Sequence, residues 1–467
     1  MSIQKTLPTT TLEDAMAQID QTGMGIIFVA NEADRLIGTA TDGDIRRGIL
    51  EGIDLTAPVS EVMNTDPVSV KESWSNEEVR EHISRSEVRR KATDREHLPV
   101  PVLDENRRIV GSTYVTHTGE LVSGPQQTDT NVTTVLVIGG AGYIGSVLCR
   151  KLLSRNYRVR VLDTLTYTDE GVQALERDDR FTLIEGDMRS IDDVMRAIDG
   201  VDAVMHLGAL VGEPASSLDP QRTLELNYHA TKLIANICKY HQINRFVFAS
   251  TCSTYGQQTD ELSDETSELH PVSLYARTKI RSENALLDMA TDNFAPTILR
   301  MATVYGLSPR MRFDLVVNIL SAKAMTEETI PIYGGDQYRP NVHVADAAQA
   351  YIDCVEAPLE DVSGEIFNVG SNEQNYKIRE IGEIVNNAFP NAEIDHQPDK
   401  EDNRTYQVDF SKIRHALGYD VEYTISDACE EIQAALESGE IADYTADRYS
   451  NYQQLDDHLE RLNSIRS

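Results

Sequence analysis

Val135-Leu-Val-Ile138 runs directly into Gly139-Gly-Ala-Gly142-Tyr143-Ile144-Gly145. The four apolar residues read as a short strand buried on both faces. Gly139 permits a tight turn, Gly142 lets backbone approach a pyrophosphate, and Gly145 allows the next helix to pack closely on the strand. A helix opening near Tyr143 would point the N–H groups of Tyr143 and Ile144, and its positive dipole end, at phosphate. A second strand, Tyr157-Arg-Val-Arg-Val-Leu162, ends in Asp163. A carboxylate there would accept both ribose hydroxyls of an adenine dinucleotide and repel a 2′-phosphate, which favours NAD over NADP.

Two later segments suit the same site. Leu183-Ile-Glu-Gly-Asp187-Met188 ends a strand with a carboxylate able to meet adenine. His206-Leu207-Gly-Ala209 is a small-residue strand end beneath the cofactor. A further strand, Arg245-Phe-Val-Phe-Ala249, leads to Thr251, and Tyr275-Ala-Arg-Thr-Lys279 follows. Residues four apart share a helix face, so both side chains can enter one cleft. A phenol with a pKa near ~10 is a poor base at neutral pH. An adjacent ammonium would stabilise the phenolate. Tyr275 is therefore the candidate proton carrier. Lys279 tunes it and binds the nicotinamide ribose, and Thr251 orients the same substrate oxygen.

From Thr133 onward, short apolar runs alternate with helical patterns, the signature of a parallel sheet covered on both faces. The first quarter is organised by a repeat instead. Val29-Ala-Asn-Glu-Ala-Asp-Arg-Leu-Ile-Gly38 returns, 73 residues on, as Val102-Leu-Asp-Glu-Asn-Arg-Arg-Ile-Val-Gly111. Each copy reads as strand, polar turn and a second strand ending in glycine. Helices capped by Thr11 and Ser75 are expected before them. The expected domains are 1–120, a linker over 121–132, the cofactor-binding domain over 133–445 and a helical tail over 446–467.

Asp and Glu total 76 against 43 Lys and Arg, for a net charge of −33, and only 11 of the cations are lysine. Such a surface repels nucleic acid and anionic membrane, and it suits a high-salt setting. The five cysteines are scattered, with no Cys-x-x-Cys pair. This argues against disulfides or a zinc site and for a reducing cytoplasm. No apolar run approaches the ~20 residues of a membrane span.

Residues 1–120 resemble a pair of CBS domains. In that family a Thr and an Asp three residues later hold an adenine nucleotide; the matching residues are Thr41 and Asp44. The second copy lacks the Asp, so the resemblance implies at most one nucleotide site, or a pair kept for dimerisation alone. Residues 133 to about 440 resemble extended short-chain dehydrogenases/reductases acting on nucleotide-sugars, UDP-glucose 4-epimerases above all. The shared motifs are the glycine loop, Asp163, Asp187-Met188, the His206 segment and Asn227. They continue with Thr251, Tyr275, Lys279 and Arg339-Pro-Asn-Val-His343-Val-Ala-Asp346. The resemblance implies a Rossmann-type doubly wound α/β fold with a smaller C-terminal substrate subdomain, preceded by the α+β CBS pair. It implies NAD as cofactor, Thr251, Tyr275 and Lys279 as catalytic residues, and Asn227 in the cofactor site. Arg339 and Arg404 are implied as diphosphate ligands, and a guanidinium fork matches phosphate oxygens. Asn318, within Arg312–Asn318, is expected to contact the nucleotide-sugar. Both families imply a homodimer, the enzyme half pairing through a helix bundle.

Departures narrow the reaction. The 4,6-dehydratases of this family carry Asp-Glu after the catalytic Thr, where this chain has Cys252 and Ser253, so elimination lacks its carboxylate. Thr303 stands where epimerases show Asn, which bears on sugar specificity. The leading expectation is an NAD-dependent epimerase that oxidises and re-reduces a sugar carbon, C4 by analogy. The rivals are a 4-ketoreductase using NAD(P)H and a non-catalytic nucleotide sensor. The intact Thr251–Tyr275–Lys279 set speaks against the sensor.

Overall fold

The structure, a computed structural model, describes residues 5–22, 26–31, 33–50, 52–71, 73–74, 78–79, 82, 97–104, 106–116, 121–122, 132–257, 262–291, 293–397 and 404–456. The chain divides into two compact units near residue 130.

In the first unit, helix Leu12–Thr22 opens on Thr11, whose hydroxyl accepts the Asp14 N–H (3.2 Å) as a cap should. Strands Ile26–Ala30 and Leu36–Thr41 form an antiparallel hairpin, as do His97–Leu103 and Ile109–Thr116. The second strand of each runs on past the glycine at which the sequence reading ended it. The hairpins meet reciprocally: Leu36 N–H donates to Arg107 O (3.0 Å) and Ile109 N–H to Asp34 O (3.1 Å). The two bonds map onto each other under the repeat offset. Asp34 and Arg107 also share a left-handed backbone, with φ of 61° and 63°. Phe28, Leu36, Leu103 and Ile109 bury one cluster between the copies. Strand Leu121–Val122 extends the second hairpin, two residues into the stretch read as a linker. Residues 123–131, most of the helix expected after Ser75, and the tail beyond 456 lie outside the described residues.

The second unit is built on seven parallel strands. They are β1 Thr134–Ile138, β2 Arg158–Asp163, β3 Phe181–Glu185, β4 Ala203–His206, β5 Arg245–Thr251, β6 Ala295–Met301 and β7 Ile366–Val369. Their spatial order is β3-β2-β1-β4-β5-β6-β7. Alternate residues face opposite sides, as the strand period requires. Val135 and Val137 enter one core, with helices α1 (Tyr143–Ser154) and α3 (Val344–Glu356). Leu136 and Ile138 enter the other, with helices Ile191–Ile198, Thr231–Tyr240 and α2 (Leu274–Asp288). The strand order reverses between β1 and β4, which run parallel, and a crevice opens beyond their C-terminal ends. A smaller lobe closes over it. There, helices Val316–Thr326, Ile378–Ala388 and Ile425–Glu437 share a core with the parallel pair Thr329–Tyr333 and Glu393–Gln397.

One polar cluster lies inside the sheet–helix interface. Glu283 of α2 pairs with Arg300 of β6 at 2.7 Å, their side chains 2% and 4% exposed. Ser250 of β5 donates its hydroxyl to the same carboxylate. Arg300 also donates to the Tyr255 hydroxyl (3.1 Å), which donates to Asn368 Oδ1 (2.8 Å). Removing one partner of a buried pair strands the other charge. Glu283→Ala is expected to cost about 3–5 kcal/mol in denaturant unfolding. A loss below about 1 kcal/mol, typical of surface pairs, would refute this.

Candidate active site

The glycine loop is shaped by close backbone approach. Gly139 turns with φ of +82°, and a Cβ there would lie 2.7 Å from Gly208 N after β4. A Cβ on Gly145 would lie 2.5 Å from Gly139 O. α1 begins at Tyr143 with Gly142 as its N-cap, and no side chain caps it. The first N–H groups are thus left without a side-chain acceptor, as a phosphate site needs. Asp163 ends β2; its Oδ2 accepts the Ala141 N–H (3.0 Å) and its Oδ1 the Leu165 N–H (3.0 Å). Burial pushes its pKa up, opposed by these two bonds. Each oxygen keeps a lone pair for a further donor. A side-chain-free cradle, an uncapped helix start and a strand-end acceptor together fit a dinucleotide.

A cleft of about 860 Å³ starts at this loop. Gly139, Gly142, Tyr143, Ile144, Gly145, Asp163, Asp187, Met188, Leu207 and Ala209 line it, and so do Thr251, Tyr275, Lys279, Thr303, Arg339 and Arg404. Asn227 and Asn318 are not among the residues lining it. The Asn227 amide is taken by Leu210 backbone (2.8 and 3.0 Å) and the Thr278 hydroxyl (3.3 Å). Asn318 accepts the Gly306 N–H (2.9 Å) and donates to the Tyr143 hydroxyl (3.0 Å) and Arg312 O (2.8 Å). Both are buried and hold the cleft walls from behind.

Ser273 caps α2, accepting the Ala276 N–H at 3.1 Å, and so places Tyr275 in the first turn. Lys279 follows one turn later and is 1% exposed. Its ammonium donates to Ala249 O (2.7 Å) and lies 4.6 Å from the Phe248 ring centroid and 5.8 Å from that of Tyr275. Burial pushes the Lys279 pKa down to about 7, against the opposing charge of Glu283. Burial also raises the Tyr275 phenol, while the Arg312 charge lowers it. Thr251 closes β5, its hydroxyl accepting the Ser253 N–H (3.1 Å). Cys252 is buried with its thiol on Arg300 O (3.1 Å).

At the far end, Arg339 donates to Tyr338 O (2.8 Å) and to Arg404 O, which joins the two arginines. Its guanidinium sits 5.6 Å from the Tyr406 ring centroid. Arg310, Asn451, Tyr452 and Leu455 also line the cleft, and sequence reading missed them. Arg310-Met-Arg312 was a readable signal in a lysine-poor chain. The three C-terminal residues carry no motif.

In the first unit, Thr41 and Asp44 cap helix Asp42–Leu50 reciprocally. The Thr41 N–H and hydroxyl donate to Asp44 Oδ2 (2.9 and 2.7 Å), and the Asp44 N–H donates to Thr41 Oγ1 (3.1 Å). Their geometry has a structural cause without any nucleotide.

A sequence profile of the NAD dependent epimerase/dehydratase family matches residues 135–370, and CBS-domain profiles match 5–51 and 59–112. The chain belongs to the NAD-dependent epimerase/dehydratase family. Its N-terminal unit is a CBS pair, and NAD is the family's cofactor. An uncharacterised UDP-glucose epimerase of Bacillus subtilis, YtcB, is 30% identical over 320 residues, 65% of this chain and 98% of that protein. A UDP-glucose 4-epimerase of Rhizobium leguminosarum is 29% identical, over 63% of this chain and 94% of its own. UDP-glucuronic acid 4-epimerase from Bacillus cereus, solved with UDP-glucuronic acid and NAD, superposes with a TM-score of 0.58 at 26% identity, covering 65% of this chain and 99% of that one. Family members of the other reaction type also match. The dTDP-glucose 4,6-dehydratase DesIV from Streptomyces venezuelae superposes with a TM-score of 0.58 at 25% identity, over 66% of this chain and 98% of its own. Among the described residues there is no cluster able to hold a metal and no helix long and apolar enough to cross a membrane.

The buried Lys279 gives a pH test on the NAD-free protein. Below about 7 the native state holds a buried ammonium, whereas the unfolded chain stays protonated up to its ordinary 10.5. Between these values the unfolded chain binds more protons, so stability rises with pH through that window. Lys279→Met removes this contribution. From about pH 6 to about pH 9 the wild-type unfolding free energy should climb relative to the variant's; parallel curves would contradict it.

Proposed function

We propose that this protein is a nucleotide-sugar epimerase working through NAD that stays bound. The observation that carries the reading is the meeting of Thr251, Tyr275 and Lys279 in one cleft with the glycine loop. Bound NAD supplies a reversible hydride acceptor. The Tyr275 phenolate takes the proton of a sugar hydroxyl, at C4 by analogy with the relatives, and later returns it. The Lys279 ammonium stabilises that phenolate across the shared helix turn. Thr251 hydrogen-bonds the reacting oxygen. Arg339 and Arg404 hold the substrate diphosphate, with Thr303 beside the sugar. The keto-sugar turns over in the cleft and is reduced on its other face. Asp163 favours NAD over NADP by its charge. UDP-sugars are the substrate class suggested by the relatives.

Elimination is disfavoured by the residues that follow Thr251. Dehydratase relatives notwithstanding, Cys252 is buried and Ser253 is no acid. Glu283, a carboxylate bonded to β5 beside Thr251, is consumed by Arg300 and Ser250.

Purified protein should epimerise UDP-glucose or UDP-glucuronic acid without added cofactor. Tyr275→Phe should lower turnover by about 10²–10⁴ while retaining NAD. A strict need for added NADH or NADPH with net reduction of a keto-sugar would replace the reading with a ketoreductase. Turnover untouched by Tyr275→Phe would favour a sensor.

For the CBS pair we propose regulation by an adenine nucleotide at Thr41 and Asp44, with assembly as a cytoplasmic homodimer adapted to high salt. The support is the family pattern at Thr41 and Asp44, the Asp44 carboxylate being partly buried and also paired with Arg47. Calorimetry of the full chain with AMP, ADP and ATP should give binding that Asp44→Ala abolishes. No heat with any of the three would end the proposal.

A further inference from the structure

The C-terminal segment reaches back into the cofactor cleft. Asn451 is 6% exposed, lines the cleft, and its Oδ1 has no hydrogen-bond partner among the described residues. Leu455 is fully buried and lines the cleft as well, within the core that holds Ile138, Leu162 and Met188. Gln454 pins the segment between them. Its Oε1 accepts from Arg310 Nη2 (3.1 Å) and its amide donates to Tyr167 O (3.3 Å). Tyr449 O accepts the Phe313 N–H at 3.0 Å. The segment lies beyond the family match, which ends at residue 370.

Arg310 faces the same segment. It is 3% exposed, its guanidinium lies 4.7 Å from the Tyr167 ring centroid, and its Nε has no partner among the described residues. Its position is on the dinucleotide side. A Cβ on Gly171 would touch Arg310 Cβ (2.9 Å), Ala141 O (3.0 Å) and Ser146 Cβ (3.2 Å), so Arg310 stands beside the glycine loop and the first turn of α1. A buried guanidinium with an open N–H gains from an acceptor, above all an anionic one, that offsets its desolvation. Burial and the Arg312 charge push its pKa down to about 10, against the nearby Asp314 and Asp163 carboxylates.

We infer that Arg310, Asn451 and Gln454 complete the NAD site. Arg310 meets the cofactor's diphosphate, and Tyr449–Leu455 lies across its adenosine half as a strap that slows release. This rests on NAD being the cofactor. It also suits a reaction in which hydride leaves and returns to the same molecule.

The test uses full-length protein loaded with NAD, with Asn451→Ala and Gln454→Ala as separate variants and a chain ending after Ser450 as a third. NAD release is followed by rapid dilution, and UDP affinity by calorimetry. Each point variant should speed NAD release by about tenfold, the scale of one lost hydrogen bond, with UDP affinity unchanged and, for Asn451→Ala, the NAD-free thermal midpoint unchanged too. The truncation also removes core residue Leu455, so the point variants carry the test if it fails to fold. Unchanged release from variants of a wild type that does bind NAD would overturn the strap alone. Slower release would mean that the segment competes with the cofactor. Weakened UDP binding with NAD release intact would assign it to substrate. Either outcome overturns the inference. A wild type that takes up no NAD would remove the cofactor reading along with it.

Discussion

The buried bond between Glu283 and Arg300 sets the position of everything reactive in this enzyme. Buried ion pairs contribute little net stability, because desolvation consumes most of the attraction. What such a pair does well is fix orientation. Here it fastens α2 to β6, and the Ser250 hydroxyl on the same carboxylate fastens it to β5. Tyr275, Lys279 and Thr251 ride on the elements so joined. Lys279 adds its own tie through Ala249 O, so its ammonium is held by the strand that also presents Thr251.

The sheet supplies the other half of the geometry. Reversal of the strand order between β1 and β4 leaves a crevice at their ends, and Gly139 lies there against Gly208 with no room for side chains. The same closeness that forbids a Cβ lets a phosphate reach backbone N–H groups. Asn227 and Asn318 show how such a crevice is kept open. Their amides bond the backbone of the walls.

Local chemistry was readable along the chain and long-range closure was not. β1, the glycine turn, α1 and Asp163 were legible because strand, turn and helix start are dictated within a dozen residues. Tyr275 and Lys279 were legible because helical spacing puts them on one face. At Asn227 and Asn318 a motif position does not reveal which way an amide points, and both amides bond the cleft walls. Asn451 and Leu455 were invisible, since nothing near residue 450 signals that the chain returns to a loop formed near residue 140. The N-terminal repeat could be seen as a repeat. That its copies would exchange the Leu36 and Ile109 bonds depends on two hairpins meeting turn to turn, which no single copy encodes.

The arginine-lined cleft belongs to a chain carrying 33 excess negative charges. At ~10 Å of Debye screening in 0.1 M salt, an anionic ligand feels the outer carboxylates before it feels Arg310, Arg339 or Arg404. In molar salt that range contracts to ~3 Å, and the interior guanidinium groups act on a visitor already inside. Concentrated electrolyte should therefore hasten capture of nucleotides, the reverse of the usual rule for enzymes that steer charged ligands inward.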